Sequence, residues 1–212
     1  MTIKTKICGI TTPEALDAAI AGRADLVGFM FYGLSPRNLS FELAHNLSCH
    51  AGSRISKVGV FVDPSDELLS EAIGSASLDI LQLHKVTAQR RAEAKARFGL
   101  PVWAVMPIKQ GRDLACRHHI DESSADLVLY DAATPKGMLP GGMGVRIDWS
   151  LFQGLAHPYP WGLAGGLNAA NVAEAVRITG APLVDVSSGV EDAPGVKSVD
   201  KIAAFLKAAR EL

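Results

Sequence analysis

WGLAGGLNAANVAEAVRITGAPLVDVSSGVE, residues 161–191, reads as strand, tight glycine turn, helix, strand and a second small-residue turn. Leu163 runs into Gly165-Gly166, Asn168 stands where a helix cap is expected, and residues 170–178 carry apolar side chains at helical spacing. Both turns then fall at the C-terminal ends of strands. Gly165 and Gly166 let the backbone approach an oxyanion closely, while Ser187, Ser188 and Gly189 offer amide N–H groups and two hydroxyls from the neighbouring strand. A helix starting at Asn168 adds its dipole and free amides, so an anion held there needs no cationic side chain. Either turn alone could be no more than a tight βα connection. Two on consecutive βα units favour a phosphate cradle.

Outward from this stretch, the same unit recurs. Residues 3–8 read as a strand ending at Gly9, and Thr12-Pro13-Glu14 supplies a cap and first-turn proline for a helix over 15–21. Residues 26–31 form a continuous apolar run, as in a strand covered on both faces, and empty into the breaker-rich YGLSPR at 32–37. A helix is expected from about Ser40, a strand over 58–62, with Asp63 as an Asp-Pro cap, and a helix over 65–73. Further strands fall at 80–84, 102–108, 126–131, 159–164 and 183–186, with a charged helix at 90–98 and an amphipathic one at 199–212. Residues 112–119 make a short helix at best. Residues 132–149 hold too many breakers for a long helix and are long for an idle connection, which predicts a mobile active-site loop.

Strand then helix, repeated roughly eight times, predicts a single (β/α)8 barrel, with a doubly wound open sheet as the alternative. Phosphate-type residues at the last two βα turns favour the barrel, where such sites recur after strands 7 and 8. At 212 residues and 48% hydrophobic content the chain can bury one large core, and no linker divides it, so one domain over 1–212 is expected. Lys and Arg number 21 against 22 Asp and Glu, a net charge of −1 that gives no reason to expect nucleic acid or an anionic membrane. Cys8, Cys49 and Cys116 are widely spaced, with neither a disulfide framework nor a zinc motif, which suits a reducing cytoplasm. No apolar run is long enough to span a bilayer. A small-molecule ligand and a monomer are expected, with a dimer left open.

In a barrel the chemistry gathers where the strands end. Cys8 closes the first, Arg37 follows the second, Asp63 follows the third, His84 closes the fourth, Asp131 closes the sixth and Asp185 lies within the eighth. A cysteine and an aspartate facing one pocket can serve as base and acid when their surroundings push their pKa values apart. Asp131 is the strongest on position, because an acid ending a buried apolar run is costly unless used or paired. Cys8 has a plain alternative as a small buried hydrophobe, His84 as a rim histidine, and Arg37 as a surface residue, although Ser35-Pro36 aims Arg37 toward a substrate carboxylate. His118-His119 reads as a solvated helix end; no cluster has metal-ligand spacing and no cofactor is called for.

Taken together, KICGIT at 6–11, GFMFYGLSPR at 28–37, VGVFV at 58–62, LQLH at 81–84, LYDA at 129–132, GGMG at 141–144, LAGGLN at 163–168 and VDVSSGVE at 184–191 resemble the phosphoribosylanthranilate isomerase family of tryptophan biosynthesis over nearly the whole chain. The resemblance implies a cofactor-free Amadori rearrangement of a phosphosugar substrate. It implies Asp131 as general acid, Cys8 as base, Gly165, Gly166, Ser187 and Ser188 as phosphate ligands, Arg37 as the partner of the anthranilate carboxylate, and Asp185 and His84 as pocket lining. Lys85 stands where the family pattern has glycine, and Met143 where it has a small polar residue.

Overall fold

The computed structural model describes residues 3–114, 123–133, 146–157 and 159–212. Strands β1 (Lys4–Cys8), β2 (Leu26–Phe31), β3 (Ser56–Val62), β4 (Ile80–His84), β5 (Val102–Ile108), β6 (Leu127–Ala132), β7 (Trp161–Leu163) and β8 (Leu183–Val186) pair in chain order, and β8 returns to β1 to close a parallel barrel. Closure removes every edge and covers the strands on both faces, which is why they read as apolar runs.

Helices α1 (Pro13–Ala21), α2 (Phe41–Ala51), α3 (Asp66–Ala76), α4 (Ala88–Phe98), α5 (Val172–Thr179) and α6 (Val199–Arg210) cover the outside. Thr12, Ser40, Ser65 and Thr87 cap the first four, each side-chain oxygen accepting from the amide three residues on, at Ala15, Leu43, Leu68 and Arg90. Two apolar cores result. A large one lies between strands and helices, and a smaller one inside the barrel joins Cys8, Leu26, Val58, Val60, Trp103, Leu129, Ala164 and Leu183.

Several expectations need correction. Asn168 does not cap α5, which starts at Val172 behind Asn171. Asn168 donates its amide to Asn171 Oδ1 and accepts the Ala170 amide on Oδ1, while Asn171 Nδ2 donates to the Gly166 carbonyl, so both asparagines fold the turn instead. Asp63 is no cap either: Ser65 caps α3, and Asp63 takes a left-handed φ of 46° with its amide donating to the His84 carbonyl. Among the described residues no α-helix follows β5 or β6. A 3-10 turn occupies 111–114, and the rest of the expected short helix at 112–119, with Cys116, His118 and His119, lies outside the described residues. After β6, a 3-10 helix at Trp149–Phe152 brings Phe152 into an aromatic cluster with Tyr130, His157 and Trp161, the last two stacked with centroids 4.0 Å apart. Most of the expected loop at 132–149, including the GGMG motif and Met143, lies outside the described residues. A hairpin not expected from the sequence, β9 (Glu191–Ala193) with β10 (Val196–Lys197), follows β8.

Candidate active site

Alternation in β1 places Lys6 and Cys8 on one face, and the barrel turns that face inward. Lys6 is fully buried, sits in register with Asp185 on β8 and donates to Asp185 Oδ2 at 2.9 Å. A buried lysine unpaired in this way would lose its proton; the Asp185 carboxylate and the nearby Cys8 outweigh burial and hold the Lys6 amine above its ordinary value. Burial pushes the Cys8 thiol up and Asp185 adds to that, while Lys6 and Lys197 pull the other way.

Asp131 closes β6, partly buried, with Oδ1 accepting the Ala132 amide at 2.8 Å. Burial and the neighbouring Asp185 charge raise its carboxyl to about 7, against the opposing pull of the Ala132 amide and Lys6. Such a carboxyl can give up a proton near neutrality, which an ordinary aspartate cannot. His84 closes β4, buried, and burial followed by the charges of Lys6 and Lys85 lowers it to about 4, so it is neutral. Gln82 Nε2 lies 3.0 Å from His84 Nε2; with the amide donating, the ring proton sits on Nδ1. Gln82 Oε1 and Asp185 Oδ1 are buried acceptors with no partner among the described residues. An unused buried acceptor costs about 1–3 kcal/mol, a cost typical of sites that await a ligand.

The two small-residue turns do meet. Gly165 and Gly166 adopt φ of 85° and 65°, and the next turn presses Gly189 so tightly on the Leu167 carbonyl that any Cβ would collide with it. Ser187, Ser188 and Gly189 are all partly exposed beside them. Arg37 is buried, and its Nε and Nη2 donate to the two oxygens of Glu191, each at 2.7 Å. The Nε and Nη2 donors of Arg37, expected to face a substrate carboxylate, are therefore taken by this chain's own glutamate. Among the described residues no group of three His, Cys, Asp or Glu side chains is placed to hold a metal ion.

Four residues here escaped the sequence reading: Lys6, Gln82, Glu191 and Lys197. Strand alternation could have found the first two, since each is polar, stands in an apolar strand, and precedes a candidate site residue by two. Glu191 closes the VDVSSGVE motif but was given no role there, and nothing local marks Lys197.

A closed parallel barrel with ionisable side chains gathered at its strand ends belongs to the class of barrel enzymes that work by acid–base chemistry. The family model described as "N-(5'phosphoribosyl)anthranilate (PRA) isomerase" matches residues 5–208. The chain belongs to this family. It is 48% identical over 214 residues to the N-(5'-phosphoribosyl)anthranilate isomerase of Parvibaculum lavamentivorans, covering 99% of each chain. The crystal structure of the Thermotoga maritima isomerase superposes with a TM-score of 0.86 at 31% identity, covering 99% of this chain and 100% of that one. Another solved isomerase, in complex with reduced 1-(o-carboxyphenylamino)-1-deoxyribulose 5-phosphate, has a TM-score of 0.83 at 30% identity, over 99% of this chain and 100% of that one.

Proposed function

We infer that this chain converts N-(5-phosphoribosyl)anthranilate to 1-(2-carboxyphenylamino)-1-deoxyribulose 5-phosphate, an isomerisation in tryptophan biosynthesis. Family membership supports the reaction, and the position of Asp131 at the end of β6, where burial and the Asp185 charge push its carboxyl up to about 7, carries the mechanism. Asp131 protonates the furanose ring oxygen as the C1–O bond breaks and the anilino nitrogen forms the Schiff base. Cys8, as thiolate, removes the C2 proton to give the enolamine. The enolamine then loses its C2 hydroxyl proton and gains one at C1. Protons added at the ring oxygen and C1 balance those lost from C2 and its hydroxyl, so no cofactor enters.

In this reading Gly165, Gly166, Ser187 and Ser188 hold the phosphate and Arg37 presents its charge to the anthranilate carboxylate. Asp185 keeps Lys6 in the lumen and, with neutral His84, lines the pocket; Asp185 Oδ1 and Gln82 Oε1 are buried acceptors without a partner among the described residues. We propose one barrel domain acting as a cytoplasmic monomer; no described helix is long and apolar enough to cross a membrane.

The test is turnover of phosphoribosylanthranilate, generated in place and followed by its anthranilate fluorescence. Cys8→Ser and Asp131→Asn are each expected to lower kcat by roughly 10²–10⁴-fold, the usual loss for a positioned acid or base. Near-wild-type turnover in either variant overturns the assignment.

A further inference from the structure

The segment following β8 carries a buried ion cluster that the reaction above leaves unexplained. Glu191 receives Arg37 on both oxygens and also Lys197, whose Nζ lies 2.6 Å from Oε1. The Lys197 and Glu191 side chains are 0% and 4% exposed. Lys197 Nζ further donates to the Ser187 carbonyl at 3.0 Å and to Ser187 Oγ at 3.3 Å. One ammonium thus reaches from the residue that grips Arg37 to the first serine of the proposed cradle.

Two consequences follow from hydrogen-bond chemistry. Ser187 Oγ, occupied as an acceptor, has its O–H left to donate to something else. The Ser187 carbonyl is pinned to Lys197, and because the peptide is planar and trans the Ser188 N–H points the opposite way. Both donors are aimed by the lysine. The cluster also contains two cations and one carboxylate, with Lys6 and Asp185 nearby as a matched pair. A surplus buried positive charge is costly without a counter-anion. Burial accordingly lowers Lys197, and Glu191 restrains the shift, with Cys8 assisting and Arg37 opposing.

We propose that Lys197 and Glu191 are positioning residues that build both anionic subsites from one network, Lys197 orienting and charging Ser187 for a phosphate group and Glu191 fixing Arg37 for a carboxylate. This deepens the functional reading and rests on its placement of the phosphate. It also replaces the expectation that the cradle needs no cation: one stands directly behind it, contributed from beyond residue 191.

Inorganic phosphate and anthranilate, each tested as a competitive inhibitor of turnover, probe the two subsites separately. For Lys197→Met, the phosphate inhibition constant and KM are expected to rise roughly tenfold or more, the worth of a hydrogen bond to a charged group. The isosteric Glu191→Gln is expected to weaken phosphate and anthranilate together. Thermal unfolding of each variant is followed in parallel, and inhibition is measured below the transition. Lowered unfolding temperatures with both inhibition constants unchanged would make the cluster purely structural and overturn the proposal. Absence of competitive inhibition by phosphate in the wild type would instead remove the phosphate placement itself, and the proposal with it.

Discussion

Asp131 and Lys85 depart from ordinary behaviour for local physical reasons. Asp131 is raised to about 7 by burial and the Asp185 charge, against the pull of one amide hydrogen bond and of Lys6. Lys85 holds a left-handed φ of 56° directly after His84 while exposed to solvent. A side chain in that region costs about 1–2 kcal/mol, of which glycine returns part through its freer unfolded chain. Lys85→Gly should therefore stabilise the fold by about 0.5–1 kcal/mol, read as a higher urea midpoint at unchanged slope; a lower midpoint would show that the lysine makes a compensating contact. Residue chemistry was legible where strand ends could be recognised: Cys8, His84, Asp131 and Asp185 all stand where expected. Lys6 was hidden by habit, since a lysine near an N-terminus suggests solvent, and only closure of the barrel encloses it.

At the scale of elements, the β9–β10 hairpin packs against the loop that carries Arg37. Its turn residue Gly195 has φ of 83°, and a Cβ there would lie 2.6 Å from the Pro36 carbonyl oxygen, in the loop that carries Arg37. The Gly195 amide also reaches Glu191 Oε2 at 3.3 Å. Gly195→Ala is expected to cost about 1–3 kcal/mol, the range for strain at a special backbone position, and urea unfolding would detect it. An unchanged midpoint would mean that the hairpin shifts freely against the β2 loop. The cap of α1 was legible in the sequence, because Thr12-Pro13-Glu14 is a local signature, whereas Ser65 and Thr87 were not recognised as the caps of α3 and α4. The start of α5 was not legible either, since Asn168 and Asn171 are equally good caps on paper and only the turn around Gly166 selects between them. The hairpin had no periodic signal: its strands are three and two residues long.

At the scale of the molecule, β6, β7, β8 and β1 stand side by side in the ring, so Asp131, the two small-residue turns, Asp185, Lys6 and Cys8 share one arc of the barrel. The barrel itself was legible because eight apolar runs at regular spacing have few other ways to be covered. The pairing of Arg37 with Glu191 was not, because the two lie 154 residues apart and meet only when β8 closes on β1. Closure also couples Asp131 and Cys8, the proposed acid and base, through shared neighbours. Lys6 lowers both Asp131 and Cys8, and Asp185 raises both. With Asp131 at about 7 and the Cys8 thiol pushed above its ordinary 9.0, the working form, protonated Asp131 with Cys8 thiolate, has the same proton count as its more abundant tautomer. It loses ground below the lower macroscopic pKa and above the upper one.

The most direct measurement is the pH dependence of kcat/KM for phosphoribosylanthranilate in the wild type and in Asp131→Asn. The expected wild-type profile rises through about 7 and falls only above the ordinary thiol range, while the residual activity of the variant has no limb near 7 and climbs with Cys8 ionisation. A limb near 7 that persists in Asp131→Asn, after correction for the substrate's own phosphate ionisation, would contradict Asp131 as the group that titrates there and as the acid of this site.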